Sequence, residues 1–164
     1  MSGMFHDSYE ALNFWSHGVP GAMFLFMGLL AFLELIPGGA ALAVFGLCSA
    51  MTHLFSAVSH VFPDNIYLEK LDHVGILATI VGTPLTTCLA GTHNHVPFSL
   101  QIQFVALLGC AFLKPLPRVT GFTLCTLALI FLHVDLFFNA YLATEVALYG
   151  MGALFFLRNG GHSR

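Results

Sequence analysis

Ser49 and His53 stand four residues apart inside one apolar stretch, and Asp72 heads the next one as part of Leu71-Asp72-His73. In an α-helix, positions i and i+4 lie one turn apart on the same face, so the hydroxyl and the imidazole point into one shared space. Asp72 can face that space from the neighbouring helix. Polar and ionisable groups inside hydrocarbon are costly, which makes an intramembrane histidine beside a carboxylate a candidate site. A neutral imidazole is a common metal ligand, and a nearby carboxylate can orient it, hold a metal-bound water or take that water's proton. The other reading stays open at this stage: His53 and Asp72 can pair with each other, or with backbone, simply to join two helices.

The pattern extends along both helices. Ser49, His53, Ser56 and His60 follow the i, i+4, i+7, i+11 spacing of a single helical stripe. Asp72, Gly75, Thr79, Gly82 and Thr86 form a small and polar face on the following segment, suited to close packing and to hydrogen bonding between helices. Together the two faces are expected to enclose a polar cavity in the cytoplasmic half of the bilayer.

That the setting is a bilayer follows from composition. Of 164 residues, 57% are hydrophobic and only 8% charged, against roughly a quarter charged in soluble domains. Apolar residues come in blocks of about 20, the length that crosses a roughly 30 Å hydrocarbon core. Breaks are expected at Pro37-Gly38-Gly39, Pro63-Asp64-Asn65, Gly91 to Pro97, Pro115-Leu116-Pro117 and Phe138-Asn139, because Gly and Pro are poor inside helices. The fold class is therefore all-α, an integral membrane bundle of six transmembrane helices over about 18–36, 41–61, 72–91, 98–113, 119–138 and 141–157. Segment 98–113 is the shortest. Residues 119–157 as one helix would span about 58 Å, so two crossings fit better. Pro84 is expected to kink its helix rather than end it, since the apolar run continues to Ala90.

Charge gives orientation. With six spans, Lys70, Lys114, Arg118, Arg158 and Arg164, all five basic residues, fall on the side that holds both termini. Basic residues accumulate in cytoplasmic loops, so the N-terminus is expected in the cytoplasm, with 1–17 as a leading segment, 18–157 as the membrane domain and 158–164 as a tail. Met1 to Phe14 holds Asp7 and Glu10 and no Lys or Arg, unlike a secretory signal or an Arg-rich transit peptide. Cys48, Cys88, Cys110 and Cys125 are scattered one per helix and read as packing residues, not as a disulfide framework or zinc ribbon. A net charge of −3 gives no sign of nucleic-acid binding. His6 and His17 are expected at the membrane interface, with Trp15 and Tyr141 as headgroup anchors. His93 and His95 read as solvated, while His133, Asp135 and Glu145 read as partners in helix-helix hydrogen bonds.

Several stretches resemble a known family. Ser49-Ala50-Met51-Thr52-His53, then Leu71-Asp72-His73-Val74-Gly75-Ile76, then Val81-Gly82-Thr83-Pro84, are similar to the signature of the progestin and adipoQ receptor family, which includes haemolysin III-type proteins and adiponectin receptors. Glu10 to Gly18 is similar to the start of that family's first helix, and Leu148 to Phe156 to the end of its sixth. The Leu-Asp-His form leans toward the haemolysin III branch. The resemblance implies a membrane bundle with a cytoplasmic N-terminus, seven helices in the family, and a zinc ion near the cytoplasmic side. By position it makes His53 the second-helix zinc ligand, Asp72 the holder of the metal-bound water and Ser49 their polar neighbour. It implies a zinc-dependent hydrolase of ceramide-like lipid amides, with the bilayer and a lipid substrate as partners, or else a non-catalytic receptor or scaffold. The family's seventh helix carries two further zinc histidines in His-x-x-x-His. Residues 160–164 reach only His162 of that motif, so the metal site is expected to be incomplete in this chain, as in a truncated product, unless His60 or His73 substitutes.

Overall fold

The computed structural model describes residues 7–91 and 98–132, together with 143, 144, 147, 148, 150–152, 154 and 158. Five helices run through them: α1 (Ser8–Phe32), α2 (Gly39–Val61), α3 (Ile66–Ala90), α4 (Phe98–Ala111) and α5 (Pro115–Leu132). The remaining described residues are helical too, all but 158 within the span 141–157 expected for a sixth segment. Among the described residues there is no strand. The chain forms two compact units, 1–96 and 97–164.

In the first unit α2 packs against both α1 and α3. All three are long and apolar enough to cross a membrane. Their outward faces are apolar as well: Leu12, Trp15, Val19, Met23 and Phe26 on α1 are exposed, as a lipid-facing surface requires. Small residues line the inner faces. A Cβ placed on Gly46 would lie 2.6 Å from Gly28 Cα, so the α1 and α2 backbones nearly touch there. Gly75 and Gly82 of α3 likewise sit against Thr52 and Cys48 of α2. Thr52 ties the second pair together: its hydroxyl lies 2.6 Å from the Gly75 carbonyl and 2.5 Å from Thr79 Oγ1.

The helix ends follow local chemistry. Asp7 caps α1 by accepting from the Tyr9 amide, and Asn65 caps α3 by accepting from Tyr67 and Leu68. The α1–α2 turn uses Gly38 at φ 123° and Gly39 at φ 50°, values that L side chains rarely adopt. The breaks at 37–39 and 63–65 thus fall where the sequence puts them. Two starts differ. α1 begins at Ser8, ten residues before the expected 18, and ends at Phe32; α3 begins at Ile66 instead of 72. In both cases an Asx cap starts the helix in a polar stretch where hydropathy is low, and apolar periodicity cannot register those turns. Pro20 lies inside α1, and α3 continues through Pro84 to Ala90, as expected.

In the second unit α4 and α5 pack together, burying Leu100, Leu107, Ala111, Phe122 and Leu129. α5 opens on Pro115, four residues before the expected 119, so the expected break at 115–117 is instead its first turn, where a proline's missing amide is no loss. Buried Arg118 donates from Nε and Nη2 to the Leu113 carbonyl and so holds the turn between α4 and α5. All four cysteines are free.

Candidate functional site

The polar groups of the first unit gather where the N-terminal half of α1, the C-terminal half of α2 and the start of α3 come together. On α2, Gly46, Leu54 and Ala57 meet α1, while Cys48 and Thr52 meet α3. At about 100° per residue, Ser49, His53, Ser56 and His60 fall between those two sets, so the stripe looks into the angle between α1 and α3. Ser49 and Ser56 are buried; His53, His60 and Asp72 are half-buried.

Among the described residues His53 makes no hydrogen bond to Asp72. Its Nδ1 lies 3.3 Å from Nδ1 of His17 on α1, close enough for one ring to donate to the other. Asp72 acts electrostatically on that same His17, as do His53 and His60. The neighbouring rings fix the pair. Phe24 stacks on His53 with centroids 5.5 Å apart and planes 10° apart. His60 lies parallel to His17 at 6.2 Å, and is itself held by Glu10, whose Oε2 accepts from His60 Nδ1 at 2.6 Å. Glu10 is 2% exposed. The result is a continuous polar run, Glu10 to His60 to His17 to His53, flanked by Asp72.

Ser49, His53 and Asp72 are thus brought to one region, with no hydrogen bond among the three in the described residues. α1 starts ten residues earlier than expected, and within it His17 faces α2 and meets His53. Glu10 and His17 are site residues that the sequence reading passed over. Their signal was present: Glu10, His17, Gly21, Phe24, Gly28 and Ala31 form one stripe at helical spacing on α1. His73 donates from Nδ1 to the Glu69 carbonyl one turn back on its own helix, at 2.7 Å. His93, His95, His133, Asp135, Glu145 and His162 lie outside the described residues.

Long apolar helices with a polar centre between them define a multi-pass integral membrane protein. The chain matches the haemolysin-III related family over residues 5–159, nearly its whole length, and belongs to that family. No curated protein and no solved structure matches it.

Zinc, which the resemblance implies, can be tested against this geometry. Two ligands of a tetrahedral zinc at about 2.0–2.1 Å stand about 3.3–3.4 Å apart. The His17–His53 separation of 3.3 Å fits one edge of such a site. Among the described residues no group of three or more His, Cys, Asp or Glu is arranged to hold a metal, so the edge is all that they furnish.

Proposed function

We propose that this protein is a membrane-embedded, zinc-dependent hydrolase of ceramide-like lipid amides, with its centre at the α1–α2–α3 junction. The observation that supports this reading is the gathering of His53 and Asp72 around His17, a histidine pair at ligand spacing within electrostatic reach of a carboxylate. When bound, zinc would polarise the amide carbonyl and make water a stronger nucleophile. His53 would be a ligand. Asp72 would accept the proton of the attacking water, and Ser49, one turn from His53 on the same stripe, would hydrogen-bond the polar head of the lipid. The exposed apolar flanks of the helices suit a substrate that arrives from within the bilayer. The reading includes a cytoplasmic N-terminus, supported by the gathering of all five basic residues on one side of a six-span chain.

The test uses the full chain in vesicles containing a fluorescent N-acyl sphingosine, with fatty-acid release as readout. Release above protein-free vesicles is expected, with Asp72→Asn lowering it by about 100-fold or more, the usual share of a general base. No release, or release indifferent to Asp72→Asn, would overturn the hydrolase reading in favour of a receptor or scaffold.

A further inference from the structure

We propose that Cys110 of α4 and Cys125 of α5 form an oxidisable pair, which a hydroperoxide converts into an intramolecular disulfide that locks the α4–α5 hairpin. Both residues belong to the second unit, so the pairing stands or falls independently of the hydrolase reading.

Packing and side-chain direction bring the two sulfurs together. A Cβ placed on Gly121 would lie 2.6 Å from Cys110 Sγ and 3.2 Å from its Cβ, so the Cys110 side chain rests directly on α5 at that residue. Cys125 stands one turn further along the same face of α5, and helical side chains lean back toward the N-terminus, which carries its sulfur over Gly121. The Cys125 thiol is accordingly within hydrogen-bonding reach of the Cys110 sulfur. A disulfide needs Cβ atoms about 3.5–4.5 Å apart, a separation that two helices reach only where a small residue lets them approach. Gly121 is that residue. Both thiols are free and half-buried, so the seam is partly open to a small reagent.

Cys110 stands at the end of α4, beside the turn that carries exposed Lys114, and its sulfur is the one that a hydroperoxide at the polar margin meets first. It attacks the terminal peroxide oxygen: the O–O bond breaks, Cys110 becomes a sulfenic acid, and its proton leaves on the departing alcohol, or on water where the oxidant is hydrogen peroxide. The Cys125 sulfur then attacks the Cys110 sulfur. The S–S bond forms, and the hydroxyl departs with the Cys125 proton as water. The two thiols lose two electrons and the peroxide gains them.

The experiment uses full-length protein in lipid vesicles, exposed either to hydrogen peroxide in the water or to a lipid hydroperoxide in the bilayer, then thiol-blocked, unfolded and cut with trypsin. Cleavage after Arg118 separates Cys110 from Cys125, so the two fragments stay joined only through a disulfide. Joined fragments are expected, and a reductant should release them. They should be lost in Cys110→Ser and in Cys125→Ser but kept in Cys88→Ala, which removes the other cysteine between Lys70 and Arg118. Before digestion the oxidised chain should migrate as a monomer. The oxidant that joins the fragments at the lower dose shows whether the peroxide arrives from water or from lipid. Oxidation should also raise the unfolding temperature of the original chain, because a bridge closing a loop of about 15 residues restricts the unfolded state, and it should leave that of Cys125→Ser unchanged. No joined fragments from the original chain, joined fragments that persist in Cys110→Ser, or a bridge found only in cross-linked dimers would overturn the proposal.

Discussion

Replacing Gly46 by alanine should loosen the α1–α2 pair, and the cost follows from the atoms that a methyl group would meet. The new Cβ would sit 2.6 Å from Gly28 Cα, 2.8 Å from Gly28 N and 2.9 Å from the Phe24 carbonyl oxygen. Carbon atoms settle at about 3.5–4.0 Å, so α1 has to retreat by about 1 Å. All three atoms belong to backbone, and no side chain can swing aside to spare the helix. Inside a membrane, association relies on close packing with no solvent-driven term between helices, so lost contact is not recovered elsewhere. Overpacking of this kind costs typically about 1–3 kcal/mol, and the better helix propensity of alanine returns up to about 1 kcal/mol. A net loss of about 1–2 kcal/mol is expected. Gly109 on α4 supplies the control, because a Cβ there meets nothing within 4 Å. Thermal unfolding in detergent, followed by the fluorescence of the single Trp15, should show Gly46→Ala melting lower and Gly109→Ala unchanged or slightly higher. Equal melting of Gly46→Ala and the original chain would refute the close approach of the two backbones.

Other consequences can be checked in the same assay. Thr52→Val keeps the shape but removes the hydroxyl that meets Gly75 and Thr79 across the α2–α3 contact. Thr79 can then turn to the Gly75 carbonyl one turn back, so the loss should be near one interhelical hydrogen bond, about 0.6–1.7 kcal/mol, and no measurable change would contradict the bonding. Glu10→Gln keeps an acceptor for His60 but exchanges a charge-assisted bond for a neutral one, at a cost of about 1 kcal/mol in melting experiments. An unchanged melting point would mean that the Glu10–His60 pair contributes nothing.

The membrane assignment and the α2 stripe were legible in the sequence because both rest on period and composition. Ser49, His53, Ser56 and His60 keep helical spacing wherever the helix packs, and the loops at 37–39 and 63–65 are marked by Gly, Pro and Asn. What the sequence reading passed over is the contribution of α1. Residues 8–17 mix Ser, Glu, Asn and His with apolar residues, so hydropathy starts the helix at about 18, whereas the Asp7 cap starts it at Ser8. The earlier start places Glu10 and His17 on a helical face that meets α2. Spacing also brings Asp72 to the right helix face without giving its partner: periodicity orders residues along one helix, and which neighbour a side chain meets depends on how two helices cross. His73 shows the same limit from the other side, adjacent to Asp72 in sequence yet bonded back onto its own helix.

The length of α1 bears on how the centre exchanges with water. At 25 residues the helix is about 37 Å long, more than a hydrocarbon core of about 30 Å requires, so its opening turns reach the headgroup layer unless it tilts strongly. Glu10 stands near that end, and His17 lies about 10 Å further in, with His60 between them in space. Glu10, His60, His17 and His53 therefore set a file of polar side chains that runs from the wet margin of the bilayer into an otherwise apolar layer.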